Sequence, residues 1–195
     1  MTNYSEEHHM IKNLPFYQKA VDSDRYIIEH PYEVEEAIQE FSLSSGVLSG
    51  GGLVAKTPIS LRLKPELVEA EGQSENMVFY HLGPRLCGHK GIIHGGLLAT
   101  LLDEALCRTG FQMLPNKIGV TASLNIKYLA PTKAESFIVI YSKTTAVDGR
   151  KCWVSGSLEV LNHEGDNNLK TVSAELLVVE PKWARKLTHE HSIVN

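Results

Sequence analysis

Residues 90–104 read KGIIHGGLLATLLDE, a histidine flanked by glycines that leads directly into an apolar segment carrying two carboxylates. The apolar residues predict a helix, and an ionised side chain in such a helix is costly unless water or a partner group compensates its charge. Asp103 or Glu104 must therefore face water, a partner or a reacting molecule. These two acids are the first candidates for a functional site.

The apolar segment predicts one long helix from Gly95 to about Phe111. On its helical wheel, Asp103 shares one side with small residues, namely Gly96, Ala99, Cys107 and Gly110. The bulkier residues lie on the other sides, so we expect Asp103 to face a channel that could hold a long ligand. Glu104 has a structural explanation, because Arg108 follows four residues later and can form a helix ion pair with it.

His94, Gly95 and Gly96 precede or open this predicted helix. Free amide groups at a helix N-terminus bind or polarise oxygen atoms that carry negative charge. Glycine also lets a substrate carbonyl approach the backbone closely. The alternative is that the glycines only form a tight turn and His94 caps the helix.

The overall composition describes an ordinary globular protein of 195 residues, with 43% hydrophobic residues, 22% charged residues and a formal charge of -4. This charge gives no bias towards nucleic acid or anionic membranes. Cys87, Cys107 and Cys152 are an odd number without metal-ligand spacing, which favours a reducing intracellular compartment over a disulfide framework and argues against a zinc site. The first ten residues resemble neither a signal nor a transit peptide, and the apolar runs are shorter than the roughly 20 residues of a membrane span. We expect a soluble protein.

Two short helices are predicted at residues 5–20 and 31–41, followed by a flexible Ser- and Gly-rich connection at residues 42–52. This pattern divides the chain into an N-terminal helical cap with its connection (1–53), a core domain (54–180) and a C-terminal tail (181–195).

Strand patterns stand on both sides of the long helix. Two precede it, at residues 57–63 and 77–82, and four follow it, at residues 121–129, 136–147, 152–161 and 169–179. Hairpin turns at Asp148-Gly149 and at residues 162–168 predict an antiparallel sheet. In the strand that starts at Thr121, alternation places Thr121 and Lys127 on the solvent face. The fold class is α+β, with the sheet wrapped around the helix.

Residues 83–179 resemble the hotdog-fold acyl-CoA thioesterases, in particular the phenylacetate-pathway and human thioesterase-superfamily group. The resemblance rests on three motifs taken together: His94-Gly95-Gly96 with Asp103 nine residues after the histidine, residues 121–128 (TASLNIKY) with Pro131 behind them, and residues 148–151 (DGRK). It implies a hotdog fold and an enzyme that hydrolyses acyl-CoA.

The resemblance also implies roles for individual residues. Asp103 corresponds to the catalytic base or nucleophile, the Gly95 amide to the group that polarises the thioester carbonyl, and His94 to the residue that positions it. Thr121 corresponds to a hydroxyl that orients water, contributed by the opposite subunit, which implies an obligatory homodimer. The remaining matched positions correspond to coenzyme A contacts: Gly96, Lys127, Ser142, Lys143, Arg150 and Lys151. A solvated sheet edge is the alternative explanation for the cationic members of this set.

We therefore expect an acyl-CoA thioesterase that uses no metal or redox cofactor and acts in the cytoplasm or the mitochondrion. Gly88 departs from the family pattern, because some relatives have asparagine or glutamine there. Two alternatives stay open, a non-catalytic acyl-CoA binder and a hotdog dehydratase, although the acid-histidine pairing of the dehydratases is not found on the helix. Whether two dimers associate further is also open.

Overall fold

The structure is a computed structural model that describes residues 6–33, 40–55, 58–162 and 167–184. Its α-helices are α1 (Glu6–Lys12), α2 (Pro15–Asp22), α3 (Pro65–Glu71) and α4 (Gly95–Phe111). Its strands are β1 (Tyr26–Glu29), β2 (Ile59–Leu63), β3 (Glu75–Leu82), β4 (Cys87–His89), β5 (Ile92–Ile93), β6 (Val120–Tyr128), β7 (Ser136–Asp148), β8 (Lys151–Val160) and β9 (Leu169–Val179). A π-helical turn covers Leu43–Val47.

Helix α4 is the centre of the fold and has the predicted bounds. Leu101, Leu102 and Leu106 are fully buried against the inner face of the sheet. Each such side chain contributes about 1.5–3 kcal/mol of hydrophobic free energy. The apolar run therefore fixes the helix on the sheet.

The main sheet is antiparallel and has the strand order β1-β2-β3-β7-β8-β9-β6. Strands β7 and β8 form the predicted hairpin, in which Gly149 adopts a left-handed conformation with φ of 55°. Strand β6 pairs with β9 and stands at one edge of the sheet. The α+β class and the sheet wrapped around a long helix are confirmed.

A second apolar cluster covers the other face of the sheet. Ile11 and Leu14 from the N-terminal segment, together with Tyr17 of α2, pack against residues such as Phe79 and Val139. The N-terminal helices thus cover the β2, β3 and β7 part of the outer face. The division of the chain at residue 53 stays a prediction, and β1 from the N-terminal segment joins the same sheet as the core strands.

Several N-terminal predictions differ from the structure. The helix predicted at residues 5–20 is two helices, because Pro15 begins α2 and the preceding Leu14 has extended backbone angles. Of the helix predicted at residues 31–41, residues 34–39 lie outside the described ranges, and Pro31 and Tyr32 form a turn. Helix α3 and strand β1 were not predicted.

The Ser- and Gly-rich segment predicted as a flexible connection contains a defined turn. The Ser42 hydroxyl accepts a hydrogen bond of 3.3 Å from the Ser45 amide, and Ser44 and Ser45 are buried. The predicted C-terminal tail is described as far as Ala184, which is also buried.

Candidate functional site

Asp103 lies on α4 beside Thr121 of β6, and the two side chains are directly hydrogen bonded. The Thr121 hydroxyl donates to Oδ1 of Asp103 over 2.7 Å, and the Cys107 Sγ lies 3.2 Å from the same hydroxyl oxygen. Asp103 and Cys107 are four residues apart on α4 and so share one side of the helix. The structure thus brings a carboxylate and a hydroxyl together within one chain. The implied contribution of these two groups by opposite subunits is wrong.

A β-bulge explains why Thr121 faces the helix. The register of β6 against β9 shifts between Thr121 and Ser123, and Ala122 is the additional residue. A bulge changes the side-chain alternation of a strand. Thr121 therefore points to the same side of the sheet as Leu124, which packs against the inner core, and not to the side of Ser123 as the alternation predicted. Thr121 is nevertheless exposed, as predicted.

Asp103 and Thr121 line a cavity of about 580 Å³. Its walls come from the C-terminal half of α4, the start of β6 and the π-helical turn: Ser42, Ser44, Asp103, Glu104, Cys107, Arg108, Phe111, Gly119, Val120 and Thr121. The serines of the turn were missed, because a Ser- and Gly-rich stretch gives no sign of which distant residues it will contact.

The predicted channel of small residues is correct only in part. Cys107 lines the cavity, but Gly110 lies against the sheet, where a Cβ atom would come within 2.5 Å of the Val178 side chain. Gly96 packs under the His94 ring, and a Cβ atom added to Gly96 would lie 3.0 Å from that ring. These two glycines allow close packing and do not form channel walls.

His94 caps α4, as the alternative explanation proposed. Its Nδ1 accepts a hydrogen bond of 2.9 Å from the Gly96 amide. Gly88 supports this arrangement, since a Cβ atom there would lie 2.9 Å from the His94 ring. At the same helix start, the Tyr128 hydroxyl donates to the Gly95 carbonyl over 2.8 Å.

Glu104 does not form the predicted ion pair with Arg108. Arg108 instead lies 3.5 Å from the carbonyl oxygen of Pro31, and Oε2 of Glu104 is buried without a hydrogen-bond partner among the described residues. Burial raises the pKa of Glu104, while the Ser44 hydroxyl and the Arg108 charge act in the opposite direction. The Tyr32 hydroxyl is likewise buried and unpartnered within the described residues.

The residues implied to contact coenzyme A are spread over the sheet and the start of α4. Ser142 is fully buried and hydrogen bonded to the Thr109 hydroxyl at 2.6 Å, so its position does not suit a coenzyme A contact. Lys143 lies 3.7 Å from the Glu75 carboxylate, and Arg150 donates to the Glu180 carbonyl over 2.7 Å. The exposed members are Gly96, Lys127 and Lys151.

The part of the chain that carries the candidate site also matches a known protein family. The profile of the thioesterase superfamily matches residues 90–159, which include α4, β6 and β7. An uncharacterized protein of Schizosaccharomyces pombe is 34% identical over 180 residues, which are 92% of this chain and 94% of that protein. The chain belongs to the thioesterase superfamily.

Further relatives of this thioesterase-superfamily chain match shorter parts of longer proteins. An uncharacterized mitochondrial protein of Candida albicans is 37% identical over 142 residues, covering 72% of this chain and 60% of that protein. The mouse protein named acyl-coenzyme A thioesterase THEM4 is 33% identical over 82 residues, covering 42% of this chain and 34% of that protein. This chain therefore spans about a third of the mouse protein.

The fold recurs in a solved structure of an acyl-CoA hydrolase variant from Staphylococcus aureus. The TM-score is 0.51 at 16% identity, and the match covers 54% of this chain and 64% of that chain. The predicted hotdog fold is confirmed. Within the described ranges, no helix of this thioesterase-superfamily chain combines the length and apolar character that crossing a membrane requires.

Proposed function

We propose that this member of the thioesterase superfamily is an acyl-CoA thioesterase, which hydrolyses acyl-CoA to a free carboxylic acid and coenzyme A. The observation that carries the proposal is the hydrogen-bonded pair of Asp103 and Thr121 on the wall of a cavity of about 580 Å³. A carboxylate beside a hydroxyl can hold a water molecule and take its proton. The reaction needs no metal or redox cofactor.

Asp103 acts as general base in this proposal. It removes a proton from a water molecule as the water oxygen adds to the thioester carbonyl, and the resulting oxyanion collapses with loss of the coenzyme A thiolate, which is then protonated. Because Thr121 occupies Oδ1, the other carboxylate oxygen is left for the water. Direct attack by Asp103 is the alternative. That attack would form a mixed anhydride with loss of the coenzyme A thiolate. In a single turnover in ¹⁸O-labelled water, general-base catalysis places the label in the product acid, whereas hydrolysis of the anhydride at the aspartyl carbonyl places it in Asp103.

The Gly95 amide is the proposed donor to the oxyanion, and it must come from a second copy of the chain. Gly95 and Asp103 lie eight residues apart on α4, which corresponds to roughly 12 Å along the helix axis. One carbonyl cannot contact both groups of the same chain. We therefore propose a homodimer in which Asp103 and Thr121 of one copy face Gly95 of the other, with His94 holding that helix start in place.

Strand β6 supports such a pairing. It stands at the edge of the sheet and its residues are mostly exposed, including the large apolar side chains of Val120 and Tyr128 at 47% and 53%. An unpaired edge strand has free backbone groups that can pair with another chain. Association along β6 would bring the sites of two copies to their shared interface.

For the coenzyme A phosphates we propose Lys151 as the main contact. Lys151 pairs with Val179, which pairs with Val120 beside Thr121, so this exposed cation lies at the same end of the sheet as the catalytic pair. Lys127 and Gly96 lie near the helix start and are proposed contacts from the second copy. Arg150 is held by Glu180, which leaves it a secondary candidate.

The experiment that tests this function is release of thiol from a panel of acyl-CoA substrates of increasing chain length by the purified chain. We expect saturable hydrolysis of at least one substrate, and a lower kcat for Thr121→Ala with KM nearly unchanged. Saturable binding of acyl-CoA without thiol release would favour the non-catalytic binder instead. Addition of water to an enoyl-CoA would identify a dehydratase. Whether the chain acts in the cytoplasm or the mitochondrion stays a prediction.

A further inference from the structure

Cys107 is a buried thiol in direct contact with the catalytic pair. It is 8% exposed and lines the same cavity as Asp103, and its Sγ lies 3.2 Å from Oγ1 of Thr121. This distance suits a hydrogen bond that involves sulfur. The contact joins three side chains in a row, from Cys107 through Thr121 to Asp103.

The direction of the hydrogen bonds in this row follows from counting protons. The Thr121 hydroxyl has one proton, and the bond of 2.7 Å to the Asp103 carboxylate uses it. A bond to a charged acceptor is stronger than one to a thiol, so the hydroxyl proton stays on the carboxylate side. The lone pairs of Oγ1 are then left to accept, and the Cys107 thiol is the donor that points at them.

The state of the thiol agrees with this direction. Burial raises the pKa of Cys107 to about 11, the contact with Thr121 acts in the opposite sense, and the negative charges of Asp103 and Glu104 act in the same sense as burial. The thiol therefore keeps its proton at neutral pH. A buried thiol that keeps its proton is a weak hydrogen-bond donor and is not an active nucleophile.

We propose that Cys107 is a positioning residue, whose thiol donates to Thr121 and so holds the threonine hydroxyl in the rotamer that is aimed at Asp103. The inference rests on the proposed function, because the orientation of Thr121 matters for catalysis only if Asp103 and Thr121 activate water. Removing the thiol would free Thr121 to rotate about its side-chain bond. The fraction of molecules in which the Thr121 hydroxyl is hydrogen bonded to Asp103 would then fall, while the cavity would keep its shape.

The test is a double-mutant cycle with Cys107→Ala, Thr121→Ala and the combined variant, measured by loss of the thioester ultraviolet absorbance, which avoids thiol reagents. A single hydrogen bond is worth about 0.5–1.5 kcal/mol, so Cys107→Ala should lower kcat by about 2- to 10-fold with KM within about twofold. The combined variant should be no slower than Thr121→Ala alone. Cys107→Ser, which restores a donor, should recover most of the lost kcat.

Cys152→Ala is the matched control. Cys152 is also fully buried, with its pKa raised to about 11 by burial, but its Sγ lies 3.8 Å from the Trp153 carbonyl, away from Thr121. The kcat of Cys152→Ala should match that of the parent chain. Parental kcat in Cys107→Ala, failure of the serine variant to recover activity, or multiplication of the two single losses in the combined variant would each overturn the proposal.

A crystal structure of each Cys107 variant separates this inference from the proposed function. We expect one Thr121 rotamer in the parent and in Cys107→Ser, and more than one in Cys107→Ala. A Thr121 that keeps its contact with Asp103 in Cys107→Ala overturns the positioning role even if the chain hydrolyses thioesters. A parent chain that hydrolyses none overturns the proposed function, and the rotamers still decide whether Cys107 holds Thr121.

Discussion

The hydroxyl of Thr121 lies 2.7 Å from Oδ1 of Asp103 in the same chain and donates a hydrogen bond to it. The two residues come from β6 and α4, and a bulge at Ala122 turns the threonine towards the helix. One copy thus contains both the proposed base, Asp103, and the hydroxyl that is hydrogen bonded to it. The proposed oxyanion donor, the Gly95 amide, lies eight residues before Asp103 on α4, so in the proposed mechanism it comes from a second copy.

Replacing Gly95 with proline tests whether the Gly95 amide donates to the oxyanion. Gly95 is the first residue of α4, where proline is well tolerated, and His94 already has the extended conformation that a following proline requires, with ψ of 128°. Gly95→Pro therefore removes one amide proton with little effect on the fold. We expect kcat to fall by about 10²–10³-fold, because loss of one oxyanion donor has that effect. Gly95→Ala, which keeps the amide, should lose far less activity.

Mixing two inactive chains tests whether the site is shared between copies. In a dimer of one Gly95→Pro chain with one Asp103→Asn chain, one of the two sites has both groups intact. If subunits exchange freely at equal amounts, half of the dimers are mixed, so activity should return to about a quarter of the parental value. Absence of any recovery after confirmed subunit exchange would contradict a site that is shared between Asp103 of one copy and Gly95 of the other.

Lys151→Ala tests the proposed phosphate contact. A surface cation that meets a phosphate contributes up to about 1 kcal/mol, so KM for acyl-CoA should rise by up to about fivefold, with a smaller effect at high ionic strength. The matched control is Lys143→Ala, because Lys143 lies near the Glu75 carboxylate. Equal changes in KM for both variants would remove Lys151 from the site.

Glu104→Gln tests the cost of a buried carboxylate beside Asp103. Burial raises the pKa of Glu104 above its ordinary value of 4.5, so folding disfavours the charged form of this side chain. The stability provided by the neutral form is complete below about pH 4.5 and is lost as the pH rises through the raised pKa. The glutamine variant should therefore melt about 2–4 °C higher at pH 7–8 and equal the parent near pH 4.

Thermal unfolding at several pH values measures this effect, with Glu69→Gln on the exposed side of α3 as the control. That variant should follow the parent at every pH. A Glu104→Gln chain that is less stable than the parent at neutral pH would show that the carboxylate is stabilised in the fold by a partner.

The sequence was sufficient to predict the central helix of the fold and to single out Asp103 as a candidate site residue. Helix α4 and the strands after it have long, regular patterns of apolar residues, and such patterns predict the type of secondary structure well. Asp103 was identifiable because a charge in an apolar helix requires an explanation.

Features that depend on contacts between distant residues were not predictable. The apolar and polar residues of β6 alternate regularly in the sequence and give no sign of the bulge that turns Thr121 towards α4. Ser44 and Glu104 are distant in the sequence and come to line the same cavity only after the chain has folded. Ser142 matched a family position, yet the structure buries it against Thr109. Short elements such as β1 depend on pairing with β2 for their existence, so their own residues give a weak signal.

Thiol release by Asp103→Asn is the measurement that tests the central claim most directly. Asparagine has nearly the same volume and can still accept a hydrogen bond from Thr121, but it cannot take a proton from water. With acyl-CoA at saturating concentration, we predict a fall in kcat of at least about 100-fold in a variant whose melting temperature stays close to that of the parent. An Asp103→Asn chain that releases thiol at the parental rate would contradict the assignment of Asp103 as the catalytic base.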